Sequence, residues 1–501
     1  MAESTYDVAI IGAGFSGPIL AAKIAEKGVN PRTKDRLKVA LIEAGPYFKG
    51  DPRPGYGSPV RRQRFTNLGG PDPTLHWEDG SAKLVGGSSL HWQASAFLPF
   101  PIDYVHWQKE TGVDWTEETF RGAVEETRRE FNIHEYPEAV NTRGNKLFYQ
   151  VARQMGYAPV RQSGARRNCI YCGYCNAGVM CKYDSRSNTL VSYIPKAEKH
   201  GVDILADTNV EKILIDAKGE RGVARGLICR NKTSTYEMKA DHIILACGWD
   251  RTPLLLMRSG YGPADWPANP ITVVNPNIGK HIDGHPTIPG ISALFDEPMG
   301  DGDVGTVRGY FMIHDDRADG EGRVLFRADL GGGDVPEVAA VNVFAPQFGL
   351  EHKKFMREKG VFRTGSLNPA MAKSPGRWSI DPVKRIVYQG DHSMTIRRAK
   401  EALAISHAIL TKMGARKITP IDIPVTINSE TRGSHLVGSC RAGVDPKTSV
   451  VNLDFESHDV DNLFICDASV IPRVTTGNTG TPQAAVTVFG AERIVERHFK
   501  G

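Results

Sequence analysis

The sequence has no apolar run long enough to cross a bilayer. Its apolar runs, such as "DVAIIGAG" and "HIILACG", are strand-length, against the roughly 20 residues a membrane helix needs. No secretory n-region and h-region precede the first strand, which the pattern starts by Tyr6, and no twin-Arg leader is written. Neither a membrane span nor self-directed export is therefore expected. Charge of one sign is scarce too. A formal net charge of +5 is small for 501 residues and no run of five like charges occurs, which argues against nucleic acid as a partner. Cysteine is sparse: eight in all, too few for a disulfide scaffold. Cys229, Cys247, Cys440 and Cys466 are scattered singly, and Cys229, Cys247 and Cys466 sit in apolar strand-like runs that suit buried thiols. Internal repeats and low-complexity tracts are missing as well. With 40% hydrophobic and 24% charged residues, the chain reads as a water-soluble protein of two or more domains.

What is present begins at the N-terminus. "YDVAIIGAGFSGPILAAKIAEKG" is a short apolar run, a glycine turn, then apolar residues at helical spacing, and "RLKVALIEAG" follows as a second strand ending in Glu43. Gly12, Gly14 and Gly17 stand in G-x-G-x-x-G register. The first permits the tight turn, the second lets backbone approach a pyrophosphate, and the third lets helix and strand pack closely. Glu43 suits the ribose hydroxyls; it lies 26 residues past Gly17, and the polar insert "NPRTKDR" accounts for the excess length. Strand, turn, helix, strand and acid in this order point to dinucleotide binding. "GVDILADTNVEKILID" and "ADHIILACG" read as further strands, with "RGVARGLICR" and "STYEMKAD" as a hairpin between them, and "NLFICDASVIP" as a late strand and turn. Residues 290–430 shift in composition, mixing strand-like runs ("GTVRGYFMI", "GRVLFRADL", "VAAVNVFAP") with the helical "SMTIRRAKEALAISHAILTKMG". This suggests a sheet-plus-helix unit inserted into the dinucleotide domain.

"GWDRTPLLLMRSG" (248–260) resembles the second signature of the glucose–methanol–choline (GMC) oxidoreductases, G-x-x-x-[ST]-P-x-L-L-x-x-S-G, with Trp249 where a small residue is usual. "NIGKHIDGHP" (277–286) and "DNLFICDASVIPRVTTGNTGTPQAAVTVFGAERI" (461–494) are similar to the family's other landmarks. The resemblance implies an α/β fold: a Rossmann-like FAD-binding domain (1–100, 185–289 and 431–501) with an inserted α+β substrate domain (101–165 and 290–430), of the p-hydroxybenzoate hydroxylase-like type. It also implies the site. Gly86 and Gly87 in "KLVGGSSLHWQAS" suit close approach to the cofactor, and His91 matches a position that in several sugar-oxidising relatives is bonded to the flavin; a noncovalent contact or plain packing are the alternatives. Asp467 matches a residue near the ribityl and phosphate groups. His435 in "GSHLVGSC" matches the family's base, and Asn478 in "TTGNTGTP" its partner, where many members carry a second histidine. A neutral His takes a hydroxyl proton near pH 7 while a second polar group holds the oxygen. His281, His285, His392 and His458 show no mutual spacing for a metal, and His285 reads as structural. Trp92, Trp107 and Trp115 suit either a sugar-stacking surface or the core.

The remaining four cysteines, Cys169, Cys172, Cys175 and Cys181, fall within "CIYCGYCNAGVMC", in a loop taken as residues 166–184. C-x2-C-x2-C is the run that wraps an iron–sulfur cluster from one loop, a [3Fe–4S] or [4Fe–4S] centre. A structural zinc and metal-free thiols or disulfides are the open alternatives. Bacterial FAD-dependent glucose dehydrogenases, similar in this loop but with different spacing, hold a cluster there. They work with a small accessory subunit and often a cytochrome c. The resemblance thus implies an FAD sugar dehydrogenase passing electrons from flavin to cluster to an external acceptor, located in the periplasm by export with a signal-bearing partner, or else in the cytoplasm. An oxygen-using sugar oxidase and a non-redox lyase are the other readings.

Overall fold

The computed structural model describes residues 5–49, 82–90, 92, 94–171, 185–219, 221–267, 269–286, 291–299, 310–315, 323–326, 344, 348–364, 377–381, 385–391, 393–419 and 433–500. The elements around the site are β1 (Thr5–Ile11), α1 (Gly17–Lys27), β2 (Val39–Ile42), α2 (Pro101–Thr111), α3 (Glu117–Glu130), β3 (Asp203–Leu205), β4 (Asn209–Lys218), β5 (Arg221–Arg230), β6 (Thr235–Leu245), α4 (Arg251–Arg258), β7 (Asp283–Pro286), β8 (Gly433–Val437), β9 (Leu463–Ile465) and α5 (Gly480–His498).

A parallel sheet runs in the order β3-β2-β1-β6-β9. Its central strands are apolar without alternation because both faces are covered: Val8, Ile10, Leu41, Ile243, Leu245 and Leu463 are all buried. Each such side chain contributes roughly 1.5–3 kcal/mol. Parallel neighbours need a crossover, and α1 supplies it between β1 and β2. Pro18 in its first turn is compatible with the unpaired N–H groups there. On one face α1 meets α3 and α5 through the buried Lys23, whose Nζ lies 2.6 Å from Glu126 and 3.1 Å from Glu492.

Two strand boundaries depart from the sequence expectation. "STYEMKAD" and "ADHIILACG" are one continuous strand, β6. No Gly or Pro interrupts it, and its two halves serve different partners: Thr235–Lys239 pairs antiparallel with β5, and Lys239–Leu245 pairs parallel with β1. "GVDILADTNVEKILID" instead divides into β3 and β4, where Asp207 takes a left-handed φ of 52° and its N–H donates to the Gly45 carbonyl.

A second core lies apart from the first. Phe148 and Val151 on the helix Arg143–Gln154 meet Ile291, Ala293 and Phe295 on the strand Ile291–Phe295, and Ile405 and Ile409 on the helix Ser393–Lys412. That last helix matches its sequence expectation. "GTVRGYFMI" and "GRVLFRADL" contribute the paired strands Tyr310–Asp315 and Arg323–Phe326, while "VAAVNVFAP" lies outside the described residues except for Phe344. Helices α2 and α3, placed by sequence in the inserted unit, send Trp107 and Phe120 into the first core, where Trp115 between them also packs. Residue 100 is therefore not where the packing changes.

Candidate active site

The glycine turn is built by close backbone contact. Gly12 has a φ of 100°, and a Cβ on Gly17 would stand 1.8 Å from the Gly12 carbonyl oxygen. Gly87 presses on Gly14 from the other side, where its Cβ would lie 2.6 Å from Gly14 Cα. The Gly86 N–H donates to Ala13 O at 2.7 Å, and Thr189 Oγ1 donates to Gly14 O at 2.9 Å. A Cβ on Gly14 itself would meet no atom of the described residues within 4 Å. The two loops thus leave an open face at Gly14, at the N-terminus of α1, which favours an anionic group.

Glu43, at the end of β2, is buried. Its Oε2 accepts the Ala13 N–H at 3.0 Å and its Oε1 the Gly45 N–H at 2.9 Å. Burial pushes its carboxyl up, and these two donors oppose the shift. A carboxylate oxygen accepts more than one donor, so Glu43 retains capacity for ribose hydroxyls. The open face, the helix terminus and this acid fit FAD.

Asp467 is saturated by the protein. Its Oδ1 accepts Ser469 N–H and Oγ, and its Oδ2 accepts Gly248 N–H at 2.8 Å and Thr252 Oγ1 at 2.6 Å. It ties the turn after β9 to the start of α4, next to Gly12. His91 lies outside the described residues, between Leu90, which is buried, and Trp92.

The expected catalytic pair does come together. His435 Nε2 and Asn478 Nδ2 are 3.1 Å apart. His435 sits on β8 with a φ of 59°, a left-handed conformation that costs a non-glycine residue about 1–3 kcal/mol and concentrates at functional sites. β8 pairs antiparallel with β7, with the register slipping between Asp283 and His285. In a regular ladder the neighbour of a paired residue points to the opposite face. The slip and the left-handed turn bring His435 and His285 together instead, Nδ1 to Nδ1 at 2.9 Å, with His285 Nε2 at 2.8 Å from Thr475 O. His285 is fully buried, and burial pushes its pKa down to about 4. The sequence reading of His285 as merely structural overlooked this contact.

Residues 473–478 are held from behind by buried acids. Asp103 Oδ1 accepts Thr476 N–H at 2.8 Å and Thr476 Oγ1 at 2.6 Å, while its Oδ2 accepts Phe100 N–H at 2.8 Å. Burial lifts the Asp103 carboxyl to about 6 against these donors. Asp283 Oδ2 accepts Val474 N–H at 3.1 Å and lies 3.4 Å from Arg473 Nε, whose Nη1 is 3.8 Å from Glu110. Asp103 was not foreseen either. The local signal was Pro101 and Asp103 opening an apolar helix, a start pattern that hides the reach across to Thr476.

Other expected residues lie elsewhere. Trp107 and Trp115 are fully buried core residues, so neither offers a sugar-stacking face. Trp92 packs edge-on against Phe15 at 5.2 Å, and its Nε1 donates to Ser187 O at 2.9 Å. His281 Nε2 lies 3.1 Å from Asn277 Oδ1, His458 Nε2 lies 3.0 Å from Ser449 Oγ, and His392 is outside the described residues. Cys229, Cys440 and Cys466 are buried; Cys247 is only partly covered, donating to Ile11 O. Cys169 is half-buried and its Sγ accepts the Tyr171 N–H at 3.3 Å; Cys172, Cys175 and Cys181 lie outside the described residues. The neck of that loop is closed by the Arg166–Arg186 bridge and by Arg167 N–H donating to Ser185 O at 2.6 Å. Among the described residues no group of three or more His, Cys, Asp or Glu side chains is arranged to hold a metal, and no helix is long and apolar enough to cross a membrane.

Comparison with known proteins agrees with this geometry. Two family models, both described as GMC oxidoreductase, match residues 71–287 and 378–487. The fructose dehydrogenase large subunit of Gluconobacter japonicus is 25% identical over 98% of this chain and 97% of its own. An oxygen-dependent choline dehydrogenase of Ectopseudomonas mendocina is 25% identical over 98% and 94%. Among solved structures, pyridoxine 4-oxidase from Mesorbium loti superposes with a TM-score of 0.69 at 18% identity, covering 98% of this chain and 100% of its own. A variant of formate oxidase from Aspergillus oryzae RIB40 gives 0.71 at 16%, covering 99% of each. These two show a shared fold. The chain belongs to the GMC oxidoreductase family, as an FAD-dependent enzyme acting on CH–OH groups.

Proposed function

We propose that the enzyme is a sugar dehydrogenase, oxidising a hydroxyl-bearing carbon of glucose or a glucoside with His435 as the base. The observation that carries this reading is the convergence of His435 Nε2 and Asn478 Nδ2, 3.1 Å apart, in one site. The substrate hydroxyl gives its proton to His435 Nε2 as the carbonyl forms. Asn478 Nδ2 then donates to the substrate oxygen, which keeps the C–H bond aligned while charge builds there. Bound FAD supplies the acceptor for the hydride. The sugar class is supported by the fructose dehydrogenase relative and by the His/Asn form of the pair.

The proposal extends to the acceptor side. Four thiols at C-x2-C-x2-C-x5-C spacing, Cys169, Cys172, Cys175 and Cys181, suit an iron–sulfur cluster through which electrons leave for an external carrier. A small accessory subunit and a cytochrome c are the partners this implies, with the enzyme carried to the periplasm by the signal-bearing subunit. The test is anaerobic purification with iron and acid-labile sulfide counts, EPR, and dye reduction against a sugar panel. Stoichiometric iron and sulfide with sugar-dependent dye reduction are expected. Activity without iron, or peroxide released with oxygen as acceptor, overturns the electron route. His435→Ala is expected to lose turnover while retaining flavin; full turnover in that variant overturns the base.

A further inference from the structure

We infer that His285 is a positioning residue that fixes the tautomer of His435, through a hydrogen-bond chain running from Asn478 to His435 to His285 to the Thr475 carbonyl. The inference rests on the proposed role of His435 as base.

Polarity follows from the last link. A carbonyl oxygen only accepts, so the 2.8 Å contact between His285 Nε2 and Thr475 O requires the hydrogen on His285 Nε2. A neutral imidazole carries one hydrogen, which leaves His285 Nδ1 as an acceptor. The 2.9 Å contact with His435 Nδ1 then requires the hydrogen of His435 on Nδ1. The lone pair of His435 is therefore on Nε2, facing the Asn478 amide at 3.1 Å, whose N–H donates to it. All three links point the same way. The chain also starts and ends on one loop, since Thr475 and Asn478 are three positions apart.

The alternative polarity would need His285 as an imidazolium. Burial opposes that charge and outweighs the Thr475 carbonyl and Asp283, which favour it. His285 is fully buried, its only carboxylate neighbour on β7 is Asp283, and Asp283 is already paired with Arg473 from the adjoining loop. The facing group on β8 is His435 itself, and Asp103 on α2 is spent on Thr476. His285 also titrates only near 4, so it stays neutral through the working range. When His435 takes the substrate proton, its Nδ1–H bond to His285 becomes charge-assisted and strengthens. The proton stays on His435, because burial disfavours charge on His285, and it leaves by the Nε2 face on which it arrived.

Selective ¹⁵N-histidine labelling of the holoenzyme tests this directly, with His435→Gln assigning the signals. Nitrogen shifts at pH 7.5 are expected to report a protonated Nδ1 and a bare Nε2 at His435. In His285→Leu the bias is lost, and kcat is expected to fall roughly 10²-fold, within the 10²–10⁴ a positioned base is worth, with KM within about threefold. His285→Gln offers an amide oxygen to His435 and an N–H to Thr475, and is expected to recover to within about tenfold of the parent. A protonated Nε2 at His435 in the parent enzyme overturns the inference, as does full kcat in folded, flavin-loaded His285→Leu. If His285→Leu does not fold, the parent spectrum and His285→Gln still decide. If His435→Ala keeps turnover, the base assignment fails, and the spectrum still reports separately on the tautomer.

Discussion

Replacing Asp103 by Asn would isolate one buried acid that the catalytic loop depends on. Asp103 is 1% exposed, and its carboxyl is lifted by burial from 3.8 to about 6. The folded chain therefore binds this proton more tightly than the unfolded chain does. The stability it contributes is full below about pH 4 and is lost as pH rises through about 6. At 1.36 kcal/mol per pH unit, that gap corresponds to about 3 kcal/mol. Asn cannot titrate, so the stability difference between parent and Asp103→Asn should change by about 3 kcal/mol between pH 4 and pH 7, against the parent. A constant offset of about 1–3 kcal/mol runs the other way, because the Asn NH2 faces a backbone or hydroxyl donor that the carboxylate had satisfied. The assay is the melting temperature of both proteins across pH 4 to 8. For a chain this long the change in their difference should be roughly 3–6 °C, taking about 1–2 °C per kcal/mol by extension from smaller domains. A difference that stays flat across the range refutes the reasoning, and would mean that the three donors cancel the effect of burial.

Gly17→Ala should fail to accumulate as folded protein, because its Cβ would stand 1.8 Å from the Gly12 carbonyl; Gly14→Ala should fold, since its Cβ meets no atom of the described residues, but lose bound flavin by about tenfold or more, read at 450 nm. Asn478→Ala should lower kcat by roughly 10²–10³, the usual cost of one donor at a developing oxyanion, with flavin content unchanged. Cys169→Ser should lower iron content while flavin reduction by substrate in a single turnover persists.

Much of the dinucleotide unit was legible because its signals are local. The glycine register, the strand that follows and the acid at its end lie within 43 residues, and each acts through its own backbone or its immediate neighbour. The buried strands also read correctly, since continuous apolar runs have few other uses. Strand ends were less secure. β6 reads as two strands because its polar first half and apolar second half differ in pattern, and nothing in "STYEMKADHIIL" records that one strand pairs antiparallel with β5 and parallel with β1 in the same sheet. Trp107 and Trp115 read equally well as a sugar surface or as core, since an aromatic side chain carries no local mark of which one it faces.

What the sequence alone determined is the chemistry class: motifs in order identify the family, and two of those motifs carry His435 and Asn478. Only the tertiary structure decided how those residues are held. His285 meets His435 across 150 residues, and Asp103 reaches Thr476 across 373. The first depends on a register slip between β7 and β8 and on a left-handed residue at position 435, the second on the packing of α2 against the loop that holds Thr476. These are products of packing, and a one-dimensional pattern of residue types carries no trace of them.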